Sequence, residues 1–177
     1  MPIPNDAPPP LLELHADVVA PTKGDLVWTR ADPLDPAARR SLPRQYGVYC
    51  WAARHHGGIY YFGCSSAQEG LWKRLGTQLR WVREGAELAA QGVDPAHAAD
   101  NWDPFSRFMV TMNAEAWWAA TDEPQEARTW ESLLLQQSIR LTGVVPAVNG
   151  GAWYRSLESR AWAQRAAGSV QFGPAAT

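Results

Sequence analysis

The chain has 177 residues and a formal net charge of −2 at pH 7, with 46% hydrophobic and 19% charged residues. This composition is typical of a globular domain, and it excludes a wholly disordered chain and a polycation that binds nucleic acid with its entire surface. No apolar run is long enough for a membrane span, and the first residues, MPIPNDAPPP, lack the regions of a signal peptide. We therefore expect a cytoplasmic protein with no membrane partner.

Residues 1–42 are expected to form an N-terminal arm and extension. The segment opens with a proline-rich stretch that is typical of a mobile arm. Residues 25–29, DLVWT, favour a short strand. Residues 35–42, DPAARRSL, predict a short helix with Asp35 as N-cap and Pro36 at the first helical position, ended by Pro43.

Two tyrosine-rich strands are predicted next. In GVYCW, Val48 and Cys50 alternate with Tyr49 and Trp51, and IYYF repeats this alternation from residue 59. The segment RHHGG between them has the composition of a turn. These features predict an antiparallel hairpin.

A helix is predicted from about residue 70 to residue 87. Its buried stripe consists of apolar residues at helical spacing, namely Leu71, Leu75, Leu79 and Val82. Its positive charge comes from Lys73, Arg74, Arg80 and Arg83. An insertion is expected over about residues 86–106.

Another strand is predicted at RFMVTMNA, where Phe108, Val110 and Met112 alternate. A second helix is predicted from Asp122, since DEPQ offers an N-cap and a proline in the first turn, and Gly143 ends it. Its expected inward face comprises Trp130, Leu133, Leu134, Gln137 and Leu141. In residues 151–177, WYRSLESRAW predicts a final amphipathic helix before a loose tail.

The predicted order is strand, strand, helix, strand, helix. This order favours a small layered α/β domain, in which a short antiparallel sheet is flanked by helices, with extensions at both ends.

Four side chains in this predicted fold could take part in catalysis or ligand binding. Arg74 lies on the flank of the buried stripe, where it could grip a phosphate or stand solvated. Glu131 lies on a largely apolar helix surface, so it is either a magnesium ligand or part of an ion pair with Arg128 or Arg74. Tyr49 and Tyr61 could orient or deprotonate a water, or only pack.

The order of short motifs resembles the GIY-YIG nuclease family. The matching pieces are Gly47-Val48-Tyr49, then Tyr61-Phe62-Gly63, then LWKRL with Arg74, WESLLLQQ with Glu131 and PAVN with Asn149. The literal Gly58-Ile59-Tyr60 abuts the second motif and leaves no room for a hairpin. The resemblance covers roughly residues 43–150, which would be the nuclease core.

The resemblance implies metal-dependent hydrolysis of phosphodiester bonds in DNA. Glu131 would hold one Mg²⁺ or Mn²⁺, with Glu126 as the fallback ligand, and Arg74 would stabilise the charge on the phosphate. Tyr49, hydrogen-bonded with Tyr61, would activate or place the water, and Asn149 would tie the final loop to the site. We expect a stand-alone endonuclease of the restriction or defence type, with a structure-specific repair nuclease as the close variant.

The chain departs from the family at Gln78, where many members carry a histidine or a tyrosine. Gln78 and Lys73 are expected to support the site, with Gln78 holding a water or a phosphate oxygen. The DNA-binding residues are expected to be Arg44, Arg80 and Arg83, within a wider basic set that includes Arg39 and Arg40.

Three further possibilities stay open. Gln78 favours a degenerate member that binds DNA or a protein without cutting. The residues Cys50, His55, His56 and Cys64 are of the types that bind zinc. An enzyme that cuts palindromic duplexes would be a homodimer, with WYRSLESRAW as a candidate interface.

Overall fold

The computed structural model describes residues 26–54, 58–93 and 104–149. In chain order the elements are β1 (Thr29–Ala31), β2 (Tyr46–Ala53), β3 (Ile59–Ser65), α1 (Gly70–Ala90), α2 (Pro104–Thr111), β4 (Ala114–Thr121) and α3 (Pro124–Thr142). The strands form one antiparallel sheet in the order β1-β4-β2-β3. The predicted small α/β domain with helices flanking an antiparallel sheet is therefore confirmed.

The sheet is covered on both faces because side chains alternate along β2. Tyr49 and Trp51 belong to the hydrophobic cluster beneath α1 and α2, whereas Val48 and Cys50 belong to the cluster beneath α3. All four side chains are fully buried. We refer to these two sides as the α1/α2 face and the α3 face.

The predicted hairpin is confirmed. Strands β2 and β3 pair with Tyr49 opposite Gly63, and the register shifts between Trp51 and Ala52. At this irregularity β3 carries one extra residue, so the consecutive Tyr60 and Tyr61 both pack against the α1/α2 cluster.

The start of α1 is fixed to the chain that leads into β2. The backbone N–H groups of Leu71 and Trp72 donate to the carbonyls of Gln45 and Pro43, at 2.8 and 3.0 Å. Gly70 adopts a left-handed φ of 57°, and a Cβ there would lie 2.0 Å from the Gln45 oxygen. A glycine is required at this junction, which positions the first turns of α1 against β2. The predicted stripe of α1 is buried as expected.

The predicted strand at RFMVTMNA is wrong. Residues 104–111 form α2, and the next strand is β4. Phe105, Phe108 and Met109 also fit helical spacing, and they pack on the α1/α2 face. The sequence of β4, AEAWWAAT, is rich in alanine and has low strand propensity, so its pairing with β1 and β2 depends on tertiary context.

The two elements predicted before residue 43 differ in detail. The strand is Thr29–Ala31 instead of 25–29, and residues 35–42 form successive turns with no regular helix. Asp35 does accept the Ala37 N–H at 2.8 Å, as an N-cap would. Residues of the expected extension nevertheless join the α1/α2 core, namely Ala31, Ala38 and Leu42.

Helix α3 has Glu123 as N-cap, one residue after the predicted Asp122, and Pro124 lies in its first turn. The carboxylate of Glu126 accepts the Asp122 N–H at 3.1 Å, which holds the entry of the helix. Gly143 ends the helix in the left-handed conformation, as predicted. The inward position expected for Leu141 is wrong, since that residue is 47% exposed.

Several predictions fall on residues outside the described ranges. These are the proline-rich arm, the turn at residues 55–57, residues 94–103 of the insertion and the final helix. The insertion begins later than predicted, since α1 continues to Ala90. Within the described ranges, no helix has the length and apolar character needed to cross a membrane.

Candidate functional site

Two phenols meet on the α1/α2 face. The rings of Tyr49 and Tyr61 lie 6.0 Å apart between centroids, with their planes at 47°. Tyr49 is fully buried, whereas Tyr61 is partly exposed. A Cβ on Gly63 would lie 2.7 Å from both Cζ and the hydroxyl oxygen of Tyr49. The glycine therefore provides the space that the end of the Tyr49 ring occupies.

Arg74 lies in the second turn of α1 and reaches both phenols. Its guanidinium hydrogen-bonds the Tyr61 hydroxyl and lies beside the Tyr49 hydroxyl. The Tyr49 hydroxyl is buried and makes no hydrogen bond of regular geometry with the described part of the chain. Arg74 as a whole is solvent-exposed, so it can also meet a ligand.

The electrostatics of the phenols are dominated by burial. Burial raises the pKa of Tyr49 well above 10, the nearby Tyr61 adds to the rise, and the Arg74 charge opposes it. Burial also raises the pKa of Tyr61, with a further contribution from the Glu131 charge. Both phenols are therefore protonated at neutral pH.

Glu131 reaches the same region from the other face of the sheet. Helix α3 packs on the α3 face, and the Glu131 carboxylate accepts hydrogen bonds from the thiol and the backbone N–H of Cys64. Burial raises the pKa of Glu131, while the two Cys64 bonds and the Arg74 charge lower it. No ion pair joins Glu131 to Arg74 or Arg128 in the described ranges.

The outer edge of β3 explains how Glu131 is placed. Phe62 and Cys64 are two residues apart on the strand, so their N–H groups point in the same direction, away from β2. Asn149 pairs with Phe62 through both amide groups: the Phe62 N–H donates to Oδ1 at 2.7 Å and Nδ2 donates to the Phe62 carbonyl at 2.8 Å. The Val148 N–H adds a bond to the Tyr60 carbonyl at 2.9 Å. Asn149 thus joins the last described loop to β3. Further along the same edge of β3, the Cys64 N–H donates to the Glu131 carboxylate.

Gln78 has a different environment from the one expected. It is buried at 6% exposure, and its Oε1 accepts a hydrogen bond from the Trp51 indole N–H at 3.0 Å. This contact places the Gln78 side chain within the α1/α2 core. The expectation that Gln78 supports the chemistry stays a prediction.

The basic residues expected to support the site or bind DNA separate into two groups. Lys73, Arg80 and Arg83 each form an ion pair with a glutamate one turn away, namely Glu69, Glu84 and Glu87. Their charges are largely offset within the helix. Arg44, by contrast, stacks on the Trp72 ring, with its guanidinium carbon 4.6 Å from the ring centre.

Only the two cysteines of the zinc cluster considered above lie within the described residues. Cys50 and Cys64 are free thiols, and burial raises the pKa of both, that of Cys64 to about 12. His55 and His56 lie outside the described residues. Within the described ranges no three His, Cys, Asp or Glu side chains are grouped to hold a metal. This observation does not bear on a metal site that uses a single carboxylate.

Sequence reasoning missed two residues of the site. Cys64 was treated only as a zinc candidate, yet it is the partner of Glu131. The contact of Gly63 with Tyr49 was also missed, and its only signal was the position of a glycine across a hairpin from a tyrosine.

The chain matches no known family model, no curated protein and no solved structure. The class of protein is therefore described from its fold and its candidate site alone. It is a layered α/β domain with a polar site beside edge strand β3 of a four-stranded antiparallel sheet.

Proposed function

We propose that this protein is a divalent-metal-dependent DNA endonuclease that hydrolyses phosphodiester bonds. One observation carries the proposal: two phenols and a carboxylate all lie close enough to the Arg74 guanidinium for its charge to act on them. The guanidinium of Arg74 is the common neighbour, since its charge lowers the pKa of Tyr49, Tyr61 and Glu131 alike. These are the groups that the sequence resemblance associates with phosphodiester cleavage.

Arg74 is the residue that would meet the scissile phosphate. It is exposed, and its planar guanidinium can donate two parallel hydrogen bonds to phosphate oxygens. Its contact with Tyr61 holds the side chain in place before a ligand binds. A preorganised cation of this kind stabilises the extra negative charge of the transition state.

Glu131 would hold the divalent ion. A magnesium site commonly uses only one or two protein carboxylates and completes its shell with waters and phosphate oxygens, so a single glutamate fits. Burial disfavours the ionised Glu131, and a cation beside it would reverse that preference. The protonated Cys64 thiol is a poor ligand for a hard cation, so it serves to hold the carboxylate. When bound, the ion would neutralise charge on the leaving oxygen.

The two phenols would have different tasks because their exposure differs. Tyr61 is partly exposed and therefore can hydrogen-bond an attacking water, which it orients as a neutral donor or acceptor. Tyr49 is fully buried behind it, and would fix the positions of Tyr61 and Arg74. This division departs from the expectation that Tyr49 itself activates or places the water.

A second candidate is a domain that binds DNA without cutting it. The burial of Gln78 against Trp51 favours this candidate, because the position carries no proton relay. The two candidates agree on the partner and differ only in the chemistry. A cytoplasmic location and, for an enzyme that cuts palindromes, a homodimer accompany the first proposal.

Incubation with supercoiled plasmid in Mg²⁺, Mn²⁺ or EDTA tests the proposal. We expect nicked or linear DNA with either metal and none with EDTA. Linear, flapped and single-stranded substrates then separate the restriction type from the repair type. Retention of plasmid in a gel-shift assay, without a cut under any metal condition, would support the binding-only candidate instead.

A further inference from the structure

We propose that Arg39, Arg44 and Trp72 form a second contact to duplex DNA, which holds backbone phosphates beside the scissile bond. We call these three residues the arginine–tryptophan cluster. The proposal relies on the proposed function for its choice of ligand, but it concerns binding and not cleavage.

Both arginines of the cluster pack against the Trp72 ring. The guanidinium carbons of Arg39 and Arg44 lie 5.0 and 4.6 Å from the centre of the Trp72 ring. The Trp72 backbone is itself held by the Pro43 carbonyl, next to Arg44 in the chain. Arg39 also lies across Gly76, one turn further along α1, where a Cβ would be 3.1 Å from its Cγ. Both arginines are thus ordered by packing before any ligand arrives.

The charges of the cluster have no acidic partner in the described ranges. Two guanidiniums on one ring lie within about 10 Å of each other, which is the Debye length at 0.1 M salt, so they repel. The other basic residues of α1, apart from Arg74, are each offset by a glutamate. An anion with closely spaced charges would relieve this repulsion, and a phosphate backbone is such an anion.

The position of the cluster favours a duplex over a single strand. Trp72 and Arg74 are two residues apart on α1, so they lie on opposite flanks of the helix. The flanks of a helix are separated by about 10 Å, close to the roughly 12 Å width of the major groove of B-DNA. Arg74 and the cluster can therefore contact phosphates of the two strands that border one groove.

The test measures binding in a chain that carries Glu131→Gln, with EDTA present, so that cleavage cannot interfere. Fluorescence anisotropy of a labelled duplex oligonucleotide gives the dissociation constant across a series of KCl concentrations. Each lost phosphate contact reduces the slope of log affinity against log salt by about 0.9. We expect Arg44→Ala to reduce the slope by about 1 and the double variant Arg39→Ala with Arg44→Ala by about 2. Arg44→Lys should keep most of the slope because it keeps the charge.

The control is Arg140→Ala, which removes one positive charge from the last turn of α3. It should leave the slope unchanged. Arg44→Glu serves as the second variant, because Arg44 is exposed and its replacement leaves the core intact. It should weaken duplex binding more than Arg44→Ala does, with the same thermal unfolding midpoint.

The outcomes separate this inference from the proposed function. Slopes equal to that of Arg140→Ala, or the absence of duplex binding, would overturn the role of the cluster even if the wild-type chain cuts plasmid. Reduced slopes in a protein that never cuts would uphold the cluster and defeat the nuclease proposal. A stronger effect on single-stranded than on duplex DNA would contradict the assignment to a duplex.

Discussion

Gly63 lies opposite Tyr49 in the β2–β3 ladder, so close that a Cβ at position 63 would come within 2.7 Å of the Tyr49 hydroxyl oxygen. The glycine of one hairpin strand therefore sets the place of the phenol on the other. Through Tyr49 it also sets the positions of Tyr61 and Arg74, which surround that hydroxyl.

Substitution Gly63→Ala tests this relationship. The added methyl group must displace the Tyr49 ring, which we expect to lower the free energy of unfolding by about 1–3 kcal/mol. Cleavage should fall as well, because Tyr61 and Arg74 lose their support. Urea unfolding and a plasmid assay measure the two effects. In the double variant with Tyr49→Leu, which shortens the side chain, the stability losses should be less than additive, whereas additive losses would argue against the contact.

The two tyrosines should differ when each loses its hydroxyl. Tyr61→Phe should reduce the cleavage rate by about 10²-fold or more, since the lost hydroxyl orients the attacking water. Tyr49→Phe should have the smaller effect on rate. It should leave stability unchanged or slightly higher, because the buried hydroxyl has no hydrogen bond of regular geometry. Tyr46→Phe, at the start of β2, is the control, and a larger rate loss for Tyr49→Phe would reverse the assigned tasks.

Glu131 should make stability depend on pH in a defined direction. Its pKa is raised above the usual 4.5, chiefly by burial, so the folded state holds the proton more tightly than the unfolded state. The wild-type chain therefore loses stability as the pH rises through the raised pKa. Glu131→Gln, melted in EDTA, should be more stable than wild type at pH 7, with a difference that vanishes below the usual pKa.

The matched control for that melt is Glu126→Gln, one turn earlier on α3. Glu126 accepts the Asp122 N–H at the positive end of the helix, so its neutralisation should lower stability by about 0.3–1 kcal/mol. Opposite signs for the two glutamates are expected at pH 7. A destabilised Glu131→Gln would show that burial is not the dominant influence on that carboxyl group.

Asn149 should be important for stability at the edge of β3. Asn149→Ala leaves the Phe62 N–H and carbonyl without their partner, at a cost of about 1–3 kcal/mol for a buried group. Hydrogen exchange should show faster exchange of the Phe62 amide, and urea unfolding should show the loss. Gln125→Ala, at an exposed position of α3, should change neither. An unchanged Phe62 amide would contradict the pairing.

The hairpin and the long helices could be predicted from sequence because their signals are local. The alternation in GVYCW and the leucine spacing of α1 each depend on a single element. Strand β4 could not be predicted, since its alanines become a central strand only through pairing on both sides. The short apolar run before it fitted both helical and strand periods, so α2 was mistaken for a strand.

The order of the motifs was enough to list the site residues. It was not enough to predict which side chains surround them. Nothing in the sequence indicates that Gln78 faces Trp51, or that Cys64 binds the carboxylate of Glu131. Both contacts join elements that are distant in the chain. The pairing of Arg80 and Arg83 with glutamates four residues later was visible in the sequence, and it reduces their value as DNA-binding residues.

The central claim is that one glutamate, Glu131, supports cleavage of the DNA backbone. The most direct measurement is the rate of plasmid nicking in Mg²⁺ or Mn²⁺ by the wild type, Glu131→Gln and Glu126→Gln. The proposed function predicts a loss of at least about 100-fold for Glu131→Gln and a near wild-type rate for Glu126→Gln. Equal nicking by wild type and Glu131→Gln would contradict it.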